Sequence, residues 1–177
     1  MKKDFTETWL AAFAAAAALV LVIGTVLVEG VAVKSTAAAD SPWHVHAARA
    51  SAALEAGQLA AAMQHAQEAY AAAVESRRSD GLVEVGNLYR RLGERGHLGE
   101  GAVMRARQCY LTALLRARRE GSTDGILRAT EAFLDVNDDA MVAQGLKYAR
   151  EVAARDPDPR AAQRIAMLQA RAARARR

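Results

Sequence analysis

Residues 57–70, GQLAAAMQHAQEAY, read as a helix with almost nothing large to bury, and the same pattern returns twice. From Gly57, small or apolar residues fall at Leu59, Ala62, Met63, Ala66, Ala69 and Tyr70. From Gly101 they fall at Val103, Ala106, Tyr110, Ala113 and Leu114, with Arg107 standing where Met63 stands. From Ala140 they fall at Val142, Gly145, Leu146, Ala149, Val152 and Ala153. Steps of three and four residues put each set on one face of a helix. Asp156-Pro157 follows the third set and stops it, because proline cannot continue a helix. A further stretch of helical pattern precedes each set, over 43–56, 81–94 and 125–138. The unit is helix, turn, helix, recurring at about 40 residues, and a fixed period of that size marks a helical solenoid.

Composition agrees with an all-α chain. Alanine and arginine dominate, both good helix formers, while aromatics make up 5% and only three prolines occur. The 20 arginines against 4 lysines fit a GC-rich bacterial genome. A chain of 177 residues is long enough for a membrane anchor plus one small domain. Charge is unevenly spread: residues 158–177 carry six arginines and one aspartate, whereas 41–157 carry 15 basic and 15 acidic groups. A neutral body argues against a dedicated nucleic-acid-binding domain, which concentrates basic groups on its fold.

The segment 9–28, WLAAFAAAAALVLVIGTVLV, is twenty residues without a charge. As a helix it spans about 30 Å, the thickness of a bilayer's hydrocarbon core, with Trp9 placed for the headgroup zone. It reads as a single transmembrane anchor over 1–29, contacting membrane lipid through residues 9–28, followed by a small-residue linker over 30–41. A cleaved signal peptide is the alternative. Lys2 and Lys3 would form its basic start, and Ala37-Ala38-Ala39 before Asp40 resembles a cleavage site. Against it, the apolar run exceeds the usual ~7–15 residues. A buried core helix is the third reading, although twenty residues without a polar face suit a core poorly. Lys2 and Lys3 place the N-terminus in the cytoplasm by the positive-inside tendency, so residues 30–177 are expected outside it, in the periplasm of a Gram-negative cell.

The sequence of glycine, apolar, alanine, aromatic, alanine, then Asp-Pro resembles tetratricopeptide (TPR) repeats over residues 42–157. It matches in VGNLYRRLG, in ARQCYLTAL and in LKYAREVAARDP. The resemblance implies about three pairs of antiparallel helices that approach closely through small residues, which is how an alanine-rich helix buries itself. The match is uneven. The first leading helix lacks the usual large residues, and the second unit carries an extra ERGHLGEG between its helices. Such arrays bind through the groove lined by the leading helices. The resemblance implies that Asn87, Arg90 and Arg91, just after Gly86, point partly into it and grip a C-terminal carboxylate or an acidic segment. In the third unit Thr130, Glu131 and Leu134 stand where further basic groups would be expected.

Residues 158–177 read as a last helix. Ile165 and Leu168, with Met167 and Ala172 nearby, cover the open end of the solenoid, which needs such a cap. Its arginines form either a solvated face or a basic tail for acidic lipid or an acidic partner, with Arg171, Arg174, Arg176 and Arg177 as the contacting groups.

Sites for chemistry are not apparent. His44 and His46, two apart on a helix, point in opposite directions and cannot hold one metal together. His65 and His97 stand isolated and read as polar surface residues. NDD at 137–139 lacks the ligand spacing of a calcium loop, and GERGHLGEG lacks the strand and the Lys-Ser/Thr of a phosphate loop. Cys109, the only cysteine, allows no internal disulfide and reads as a small core residue. No catalytic, cofactor or metal site is expected, and no enzyme activity. The expectation is a membrane-anchored scaffold for protein–protein interaction, an accessory or assembly subunit of a bacterial membrane or envelope complex. A secreted periplasmic adaptor or chaperone, released by cleavage near Ala39, is the alternative, and an enzyme is a distant third.

Overall fold

The computed structural model describes residues 41–96, 99–155 and 158–175. The expected anchor over 9–28, His97, the Asp156-Pro157 stop, Arg176 and Arg177 lie outside the described residues. Among the described residues the chain is all-α. Its seven helices are α1 (Pro42–Glu55), α2 (Leu59–Glu75), α3 (Ser79–Gly96), α4 (Glu100–Glu120), α5 (Thr123–Asp135), α6 (Asp139–Ala153) and α7 (Pro159–Ala175). None of them is long and apolar enough to cross a membrane.

The turns explain where the helices end. After α1, Gly57 takes φ 73°, and the Gln58 amide donates back to the Ala53 carbonyl at 2.8 Å. After α4, Gly121 takes φ 69° and the Ser122 amide returns to Ala117 at 2.9 Å. After α5, Asn137 takes φ 53° and the Asp138 amide returns to Phe133 at 3.0 Å. One left-handed residue closes each of these three helices, and the next residue opens the following one. Glycine and asparagine adopt that conformation at least cost. Ser122 and Asp138 then cap with their side chains. Ser122 Oγ accepts from the Gly125 amide at 3.1 Å, and Asp138 Oδ1 from the Met141 amide at 3.2 Å. The segment ERGHLGEG mostly lengthens its neighbours rather than forming a separate connection: α3 runs through Gly96 and α4 starts at Glu100.

Each helix packs on the next in sequence, and α1 also packs on α3, α3 on α5, and α5 on α7. The odd-numbered helices therefore lie side by side, backed by their even-numbered partners, in a solenoid-like arrangement. α7 packs on α5 and α6 through Ala161, Ile165, Leu168 and Ala172. The core holds few large side chains: Trp43, Leu82, Leu88, Leu92, Tyr110, Leu114, Ile126, Phe133 and Val142 are all 2% exposed or less.

The alanine helix is buried by proximity. α2 packs on α1 and α3, and its buried residues are Ala62, Ala66, Ala69 and Ala73, all fully enclosed. The recurring position of Ala62 is filled by Ala106 in α4, also fully enclosed, and by Gly145 in α6. At Gly145 a Cβ would fall 2.1 Å from Thr130 Oγ1 on α5, so no side chain fits there without movement. Two residues depart from the expected face. Tyr70 is 38% exposed, at the mouth of a hollow shared with Tyr89 and Cys109, and Met167 is 63% exposed. The seam makes a prediction. Ala62→Leu and Ala106→Leu overpack it and should each cost about 1–3 kcal/mol in urea or thermal melts. Ala60→Leu, exposed on the same helix α2, should stay within about 0.5 kcal/mol. Ala61 is a poorer control, because it packs half-buried against the core. Equal melts for the three variants would contradict close packing of α2 and α4.

Candidate partner-binding faces

The three α3 residues expected in the groove are engaged within the fold. Asn87 is half-buried, and its Oδ1 accepts from the Tyr110 hydroxyl of α4 at 2.8 Å. Arg90 donates to Glu94 one turn on at 2.6 Å, and its Nε is buried without a hydrogen-bond partner. Arg91 donates to Ser51 Oγ on α1 at 3.1 Å. Burial pushes the Tyr110 phenol up to about 12, with the Arg90 charge acting against it. The phenol is therefore neutral at any ordinary pH and can donate to Asn87. Asn87 and Arg91 tie α3 to α4 and α1, whereas the ion pair of Arg90 stays within α3. The sequence pattern around Gly86 does not say which neighbour they meet.

Polar contacts between adjacent odd-numbered helices run along the layer. His44 lies 3.8 Å from Glu84, and Arg95 pairs with Glu55, joining α1 to α3. Between α5 and α7, Arg164 pairs with Asp124 and reaches Glu131 at 4.0 Å, while Arg171 donates to Asp135 at 2.8 Å. Exposed pairs of this kind contribute little stability each, roughly 0–1 kcal/mol. They do fix the orientation of long side chains on an open surface.

The α5–α7 side also has room. A hollow of about 980 Å³ is lined there by Glu131, Arg164, Met167, Leu168, Arg171 and Arg174. Arg174 spends its Nε only on the Ala170 carbonyl of its own helix, at 3.3 Å. Exposed Met167 lies among three guanidinium groups, of which Arg164 and Arg171 are paired with carboxylates of α5, so the surface offers a flexible apolar contact inside a charged rim. Of the seven residues expected to bind a partner, the structure brings Arg171 and Arg174 to this hollow. It sets Asn87, Arg90 and Arg91 apart from them, on α3.

A second cluster was not visible in the sequence. His46 of α1 and His65 of α2 both place Nδ1 2.9 Å from Glu68 Oε2. Gln64 donates to the other oxygen of Glu68 at 3.1 Å. The hydrogen bonds from His65, then from Gln64, hold the Glu68 carboxyl below its usual range. His65 is thus not isolated. Its partner across the helix pair lies too far away in sequence for spacing along one helix to reveal it. Cys109 is 1% exposed, and burial pushes its thiol up to about 12, which suits a core residue and not a nucleophile.

No protein-family model matches this chain, and no curated protein or solved structure matches it.

Proposed function

We propose that this chain is a membrane-anchored scaffold for protein–protein interaction, an accessory or assembly subunit of a bacterial membrane or envelope complex. In this reading residues 9–28 cross the inner membrane once, and the TPR-like helices lie outside the cytoplasm. The observation that carries the reading is the open α5–α7 face. Met167 stands out in a hollow of about 980 Å³ flanked by Arg164, Arg171 and Arg174. Arginine forms paired, charge-assisted bonds to carboxylates, and methionine adapts to varied apolar partners. An acidic segment with an apolar residue among its charges fits that chemistry. Anchoring in the same membrane as the partner raises its effective concentration, so a modest contact suffices.

The test is recovery of co-purifying membrane proteins from detergent extracts. Met167→Ala/Arg171→Ala/Arg174→Ala should lower recovery of the bound partner by roughly tenfold, with binding that weakens as salt rises. Arg90→Ala/Arg91→Ala should leave recovery nearly intact. The reverse order would move the site to α3, and no loss with either variant would remove both faces from the reading. A second reading rests on Ala37-Ala38-Ala39 before Asp40, which fits a secreted periplasmic adaptor. Sequencing the mature N-terminus separates the two, because a start at Asp40 means cleavage.

A further inference from the structure

We propose that His46, His65 and Glu68 form a binding site for one divalent first-row transition-metal ion, of which zinc is the natural probe, and that the bound ion clamps α1 to α2. Nothing in the scaffold reading requires this site. It stands on the cluster's own geometry.

Three donor atoms from two helices converge there. Glu68 Oε2 lies 2.9 Å from each Nδ1, and the ligating atoms of all three residues lie within 4.8 Å of one another. A tetrahedral ion with metal–nitrogen and metal–oxygen distances of about 2.0–2.2 Å needs donors roughly 3.2–3.5 Å apart. The cluster reaches that spacing by opening about half an ångström on two edges and adjusting the third, which side-chain rotation supplies. The donor set is two imidazoles and one carboxylate. That mixture suits zinc, cobalt, nickel or copper, whereas calcium and magnesium favour all-oxygen sites. Three protein ligands leave the fourth position to water. All three side chains are partly exposed, so an ion reaches them from solvent.

The surroundings support the ligands. Gln64 holds the second oxygen of Glu68, the kind of outer contact that orients a ligating carboxylate. Without an ion, both Nδ1–H groups donate to Glu68. On binding, each proton moves through solvent from Nδ1 to Nε2 of the same ring, which frees the Nδ1 lone pair to ligate. His44, two residues before His46 on α1, points away from the cluster toward Glu84 and provides an internal control.

The full chain in detergent, without a polyhistidine tag and freed of metal by chelation, is titrated with Zn²⁺ against a chromogenic chelator. One equivalent should bind and raise the melting temperature, since an ion held only by the folded state stabilises it. His46→Gln, His65→Gln and Glu68→Gln should each weaken binding at least tenfold, while His44→Gln leaves it unchanged. Helical content by circular dichroism verifies that the variants fold. Co²⁺ should give the visible bands of a tetrahedral nitrogen–oxygen site, with no thiolate charge-transfer band, because Cys109 is enclosed. Absence of stoichiometric binding overturns the proposal. So does zinc binding that survives His46→Gln/His65→Gln in a folded chain, or a thiolate band with Co²⁺.

Discussion

Replacing Gly86 with alanine is expected to destabilise the folded chain by about 1–3 kcal/mol, although alanine is the better helix former. A Cβ built at Gly86 on α3 would fall 2.3 Å from Tyr110 Cε1 and 2.6 Å from Cδ1. Tyr110 cannot easily give way. It is fully enclosed, its hydroxyl is bound by Asn87, and its ring meets Phe133 edge-on at a centroid distance of 5.7 Å. Valine at position 86 should exceed the upper end of that range, because its branches strike the same ring. Gly101 supplies the control. It is an exposed residue of α4, and a Cβ there meets nothing within 4 Å. Gly101→Ala should therefore be neutral or stabilise by up to about 1 kcal/mol through helix propensity alone. The sign of the difference between the two variants is the measurement. A Gly86→Ala chain that melts no lower than the parent would mean that α3 and α4 do not approach as closely as described.

How much of this was legible in the sequence depends on the kind of contact. Periodicity along one helix identifies which residues share a face, and it correctly gathered Ala62, Ala66 and Ala69, then Ala106, Tyr110 and Ala113. Helix ends were less legible: residues 57 and 137 fall within stretches that read as helical, yet Gly57 and Asn137 take the left-handed turns between helices. Periodicity does not say which helix covers a face, or how far. Tyr70 and Met167 satisfy the pattern yet are 38% and 63% exposed. Asn87 reads as a groove residue until the Tyr110 hydroxyl is brought beside it. His46, His65 and Glu68 come from two helices, and only their antiparallel packing brings the three together. Sites that depend on one helix were therefore partly visible, whereas sites shared by two were not.

Tyr110 is the residue on which stability and the α3 side chains meet, and a series at that position separates its two roles. Tyr110→Ala should cost about 3–5 kcal/mol, the usual result of emptying a large enclosed aromatic site. Tyr110→Phe retains the ring and its contact with Phe133, and removes only the donor to Asn87. That change should cost about 1–2 kcal/mol, since the Asn87 oxygen is left half-buried without its partner. The two sites must also couple. In the Tyr110→Ala background the ring that obstructs position 86 is gone, so Gly86→Ala should become neutral or stabilising. A double-mutant cycle of the four chains should then show an interaction of about 1–3 kcal/mol, larger than distant sites give. Additive effects would place Gly86 and Tyr110 out of contact. Strong coupling together with a small Tyr110→Phe cost would instead show that the ring alone fixes α3 against α4, leaving Asn87 free to bind a partner after all.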